Sequence, residues 1–134
     1  MHKILPLIAL LPVLAACASP LEEKAERARS AMIGVSGDQL QACAGQPTAR
    51  NREGAADIWS YFRETSRSAT IQTDQGFSPA GRGEVIGDYF RYCEATFILQ
   101  NNRIVALEFR GRTATGREVL EPCGAIIDRC LPNK

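Results

Sequence analysis

Five cysteines constrain this chain more than any other feature of its 134 residues. An odd number leaves at least one of them outside any intramolecular disulfide. Cys43, Cys93, Cys123 and Cys130 form an even set with spacings of 50, 30 and 7 residues. No C-x-x-C pair occurs, and the single histidine is His2. A zinc site is therefore disfavoured, and two disulfides are the expected reading. A cysteine nucleophile is disfavoured too, because it needs a base partner, usually His. Four cysteines allow three pairings, and local structure argues against one. In EPCGAIIDRC, Pro122 stands at a first helical position with Ile126 and Ile127 inside. In a helix with a rise of about 1.5 Å per residue, Cys123 and Cys130 would lie roughly 10 Å apart. The Cα limit for a disulfide is about 7 Å. Each is therefore expected to reach back separately to Cys43 or Cys93, pinning a C-terminal helix onto the domain by both ends.

Cys17 is the cysteine left over, and it follows a leader. A short basic start, MHK, precedes the apolar run ILPLIALLPVL, which Pro6 and Pro12 interrupt. A membrane-spanning helix needs about 20 apolar residues, so the run reads as a secretory signal. The string Leu14-Ala15-Ala16-Cys17 resembles the lipobox of bacterial lipoprotein precursors. That resemblance implies that residues 1–16 are a signal peptide and that Cys17 becomes the acylated N-terminus. An ordinary signal peptide cut near ACA is the plainer alternative. Several acyl chains, at about 0.8 kcal/mol per buried methylene, make such an anchor effectively stable. Ala18, rather than Asp, implies by the same resemblance an outer-membrane destination with the chain facing the periplasm. Export to an oxidising compartment strengthens the disulfide reading. Removing residues 1–16 takes away His2 and Lys3. The 16 Lys+Arg then fall by one to 15, against 15 Asp+Glu. No basic excess remains to release counterions from nucleic acid.

Ser19-Pro20-Leu21-Glu22 is a capping box with Pro at the first helical position. It starts a helix with Leu21, Ala25, Ala28 and Met32 on one thin apolar face, ended by Gly34. Residues 17–35 are thus expected to be a lipidated N-terminus and a loosely packed tether helix. The remaining residues, 36–134, form a single α+β domain. Ser36-Gly37-Asp38-Gln39 is a second capping box, with Leu40 and Cys43 buried, Gly45 as the C-cap and Pro47 preventing continuation. A polar loop, TARNREGAA, leads into DIWSYFRET, a strand by aromatic content and alternation. Residues 66–88 read as a long mobile loop, with a short edge strand at 69–73. YFRYCEATFILQ and RIVALEFRG are the clearest strands, joined near Asn101 and Asn102. A three-residue loop, 101–103, pairs Leu99 with Val105, Phe97 with Leu107, and Ala95 with Phe109. It matches Thr96 with Glu108 and Glu94 with Arg110 on the other face.

Two N-terminal helices are thus expected on a three-stranded antiparallel sheet, followed by a disulfide-pinned C-terminal helix. GVSGDQLQACAGQP, residues 34–47, resembles the G-M-[ST]-x-x-[EQ]-V-x-x-x-x-G-x-P signature of the BamE (SmpA/OmlA) lipoproteins. Trp59-Ser60-Tyr61 resembles the W-x-Y that opens their first strand. Val35 in place of Met, the long 66–88 loop and the cysteine-bearing C-terminal helix depart from that pattern. The resemblance implies a scaffold of the outer membrane that stabilises barrel-assembly machinery by protein–protein contact, without a cofactor. The alternative is a periplasmic binding or enzyme-inhibitor lipoprotein of the same small α+β layout. An enzyme is not expected: beyond the leader there is no His, and no Gly-rich phosphate loop follows a strand. Asp57, Glu64, Asp88 and Glu94 read as solvated charge, and Trp59 reads as core. Arg63, Arg110 and Arg112 are candidates for a basic strip across adjacent strands. Tyr89, Phe90, Tyr92, Arg110 and Arg112 are the expected partner-binding residues.

Overall fold

The computed structural model describes residues 18–66 and 90–132. Cys17, the leader 1–16, Tyr89, Asp88 and almost all of the 66–88 stretch, with its expected edge strand, lie outside the described residues. The elements run α1 (Pro20–Ala31), α2 (Gly37–Ala44), β1 (Ala49–Glu53), β2 (Ala56–Ser66), β3 (Phe90–Gln100), β4 (Arg103–Thr113) and α3 (Glu121–Ile126). The four strands form one antiparallel sheet in the order β1-β2-β3-β4. The architecture is α+β with a disulfide-linked C-terminal helix, but the sheet has four strands, not three.

The additional strand is the segment ARNRE, expected as loop. It pairs with β2 through a tight turn in which Gly54 takes a φ of +60°, a left-handed conformation that suits glycine. All five of its side chains are exposed. An edge strand with neither face buried carries no period-two alternation, which is why the sequence pattern does not reveal it.

Both capping boxes form. The Ser19 and Ser36 hydroxyls accept from the Glu22 and Gln39 backbone N–H groups, and those side chains reach back to the cap N–H groups. The first helix is not a loose tether. Ala25, Ala28 and Met32 are fully buried in the core, and α1 packs on α3. Small residues permit that closeness: a Cβ on Gly124 of α3 would fall onto the Leu21 carbonyl oxygen of α1. Lys24 is also buried, donating to the Asp128 carboxylate at 2.6 Å and to its backbone carbonyl at 3.1 Å. That pair ties α1 to the turn after α3.

The disulfides are Cys43–Cys130 and Cys93–Cys123, with Cα separations of 5.0 and 5.2 Å. The C-terminal segment is thus held at two points, as expected, but it is not one helix through Cys130. The helix ends at Ile126 and residues 127–131 form turns. Its link to β3 places α3 against β2, β3 and β4. Loops spanning 87 and 30 residues are closed, and each closure contributes about 4 kcal/mol by chain entropy.

The β3–β4 hairpin corrects the expected register at one point. Phe97–Leu107, Ala95–Phe109, Thr96–Glu108 and Glu94–Arg110 pair as expected, but Leu99 faces Ile104, not Val105. The turn is the two-residue type, with Asn101 and Asn102 both at positive φ. A bulge at Val105, left exposed, restores the phase beyond it. The inward phase of β3 carries Cys93, Ala95, Phe97 and Leu99, all buried. Tyr61 meets Phe97 edge to face, with ring centroids 5.5 Å apart.

Candidate functional site

Strand periodicity divides the sheet into a face covered by helices and an open face. On the open face Phe62 of β2 and Phe90, Tyr92 and Glu94 of β3 stand beside Arg110 and Arg112 of β4. Phe62 is 51% exposed and Phe90 is 39% exposed. The Phe62 and Tyr92 rings stack, with centroids 5.9 Å apart and planes at 28°. Aromatic pairs of this kind contribute about 0.5–1.5 kcal/mol beyond area burial. The stack is therefore partly pre-ordered, while much of the Phe62 ring still faces solvent.

Of the expected partner-binding residues, Phe90, Tyr92, Arg110 and Arg112 share this face, and Tyr89 lies outside the described residues. Tyr92 stands opposite Arg112, and Glu94 opposite Arg110. Arg110 donates to Glu108 at 3.3 Å and Arg112 pairs with Glu118 at 3.0 Å. Both pairs are exposed or nearly so, a setting in which an ion pair contributes about 0–1 kcal/mol. Either guanidinium can exchange its partner at little cost.

Arg63 does not join them. Its strand position is opposite Cys93, on the helix-covered face, where it donates to the Ala125 carbonyl at 3.5 Å. The three-arginine strip is therefore split between the two faces, because 63 and 62 differ in phase. Phe62 is the residue that the sequence reading missed. Its signal was present: in WSYF a large apolar residue follows Tyr61 directly and so falls out of phase with Trp59 and Tyr61. Trp59 itself is half-buried on the covered face, with the Arg50 guanidinium 4.3 Å from its ring centroid.

Both sheet edges are protected, which leaves the face as the accessible part of the sheet. On the β4 edge, Gly34 donates to the Ile104 carbonyl at 2.8 Å and Ile104 donates to Val35 at 2.9 Å. Further along, Val119 donates to Gly111 and Thr113 to Arg117. The β1 edge carries Arg50, Arg52 and Glu53, charges that discourage addition of another strand.

Among the described residues the expected carboxylates do not all share one face. Asp57 pairs with Arg52 at 3.3 Å on the covered face, whereas Glu64 and Glu94 lie on the open one. Among the described residues no group of three or more His, Cys, Asp or Glu is placed to hold a metal ion. Burial raises the Tyr61 pKa above its ordinary value, and the nearby Arg50 charge partly opposes that. Its hydroxyl donates to the Gly45 carbonyl at 3.0 Å, a structural bond closing the end of α2.

No helix among the described residues is long and apolar enough to cross a membrane. The chain matches no family model, no curated protein and no solved structure.

Proposed function

We propose that this protein is a lipid-anchored scaffold of the outer membrane, facing the periplasm and acting by protein–protein contact through its open sheet face. The observation that carries the reading is the Phe62–Tyr92 stack with Phe90 beside it, uncovered by any helix among the described residues and bordered by Arg110 and Arg112. Aromatic and arginine side chains are the types enriched where proteins meet. A covalently braced domain with protected edges suits a partner surface that must not drift or polymerise. The helix α1 starts at Pro20, three residues after Cys17, so an acylated Cys17 would hold this face near the membrane. The resemblance of residues 34–47 to the BamE signature supports barrel-assembly components as the partner class.

A photo-crosslinking side chain placed at Phe62, compared with one at the exposed helix-side residue Ala42, tests the reading in intact envelopes. Adducts with barrel-assembly subunits from position 62 and none from position 42 are expected. Adducts with a soluble hydrolase alone would replace the scaffold with the inhibitor reading. Adducts from position 42 but not 62 would overturn the assignment of the face. Growth on labelled fatty acid tests the anchor: Cys17→Ser is expected to lose all label and its membrane fraction.

A further inference from the structure

We infer that the Cys43–Cys130 disulfide is a thiol-exchange site selective for small anionic thiols, while Cys93–Cys123 is a permanent crosslink. The inference stands independently of the scaffold reading, since it concerns the helix-covered side of the molecule.

The two bonds occupy different surroundings. Cys93 and Cys123 are both fully buried, and Cys123 lies under β4, where a Cβ at Gly111 would approach its sulfur. Neither sulfur offers an approach for an attacking thiolate. Cys43 and Cys130 are only half-buried. Cys43 lines a cleft of about 340 Å³ between the end of α2, β2 and the end of α3. That volume is within the range of small-molecule sites, roughly 300–1,000 Å³.

The charge lining the cleft selects the thiol. Arg63, Asp128 and Arg129 are the charged residues that line it, and the Arg63 guanidinium reaches the Ala125 carbonyl on its wall. Asp128 is already paired with Lys24 at 2.6 Å, so the two arginines dominate. The carbonyls at the C-terminal end of α2 add only a partial negative charge of about half a unit. Positive charge beside a disulfide stabilises the thiolate that leaves and attracts an anionic attacker.

The exchange balances without any other reagent. A thiolate attacks the Cys43 sulfur, the Cys43–Cys130 bond breaks, and its electron pair leaves on Cys130 as a thiolate. Cys43 is then joined to the incoming thiol as a mixed disulfide. A second thiolate can displace Cys43, forming the small-molecule disulfide and delivering two electrons to the protein. Residues 127–131 remain held by buried Ile127, by the Lys24–Asp128 pair and by Cys93–Cys123. The product therefore stays folded, with α2 unlinked from the C-terminal segment.

The test uses the oxidised full chain carrying Cys17→Ser, so that no fifth thiol can shuffle the bonds. Matched concentrations of mercaptoethanesulfonate, mercaptoethanol and cysteamine, which are anionic, neutral and cationic, are followed by alkylation and peptide mapping. Cys43 and Cys130 are expected to be labelled at least tenfold faster than Cys93 and Cys123, in the order anionic, neutral, cationic. Arg63→Gln combined with Arg129→Gln is expected to abolish that order, while circular dichroism confirms an unchanged fold. Reduction of both bonds in one phase, or of Cys93–Cys123 first, would overturn the site. So would a rate insensitive to the charge of the thiol.

Discussion

The two faces of the sheet use the same strands to opposite ends. One face carries Phe97, Leu99, Ala95 and Cys93 beneath helices and is braced by a buried disulfide. The other carries Phe62, Phe90 and Tyr92 in the open, with arginines and glutamates around them. The covered face has exchanged solvent for close packing, so each of its side chains is answerable to many neighbours. The open face has kept aromatic surface exposed without using it for folding. Those exposed aromatics are the surface on which the proposed protein–protein contact rests.

The contrast can be broken or sharpened by substitution. The largest effect is expected from Phe97→Ala on the covered face, where the ring is fully buried. Truncating such a side chain costs about 3–5 kcal/mol, a large share of a total stability of about 5–15 kcal/mol. Urea unfolding monitored by circular dichroism measures it; a loss below about 1 kcal/mol would mean that the covered face is not the core.

A smaller loss is expected from Gly124→Ala. The added methyl meets the Leu21 backbone, and backbone cannot move aside as a flexible side chain can. Overpacking of this kind costs about 1–3 kcal/mol. The same denaturant midpoint reads it, and an unchanged midpoint would show that α1 can lift from α3.

Phe62→Ala should give the smallest change, within about 0.5 kcal/mol, as for surface substitutions remote from core features, plus loss of the stack on Tyr92. Partner crosslinking from a neighbouring open-face position should nevertheless fall several-fold. A destabilisation comparable to Phe97→Ala would erase the distinction between the faces.

Legibility followed the strength of local physics. The Ser19 and Ser36 capping boxes form because cap, third residue and intervening spacing are all local. The inward phase of β3 was readable because one face is buried, and a one-residue slip would reverse every side chain. The turn was read one residue too long, because a two-residue loop followed by a bulge at Val105 produces nearly the same pairing downstream. The loose packing expected of α1 is not found, for a different reason. Ala25 and Ala28 make a weak apolar stripe, yet alanine and glycine are what allow two helices to approach closely. Of the candidate site, Phe90, Tyr92, Arg110 and Arg112 are legible in the sequence, whereas Phe62 is hidden within the aromatic run of β2.

The sequence by itself determined where helices start, which residues of β3 face inward, and that Cys43, Cys93, Cys123 and Cys130 form an even set suited to two disulfides. Those properties depend on spacing along the chain, and spacing is visible in one dimension. Only the tertiary structure decided which distant cysteine each one meets, that ARNRE adds a fourth strand, and that Arg63 faces away from Arg110 and Arg112. These depend on which surfaces approach in space, where a single residue of phase or a missing Cβ changes the neighbour.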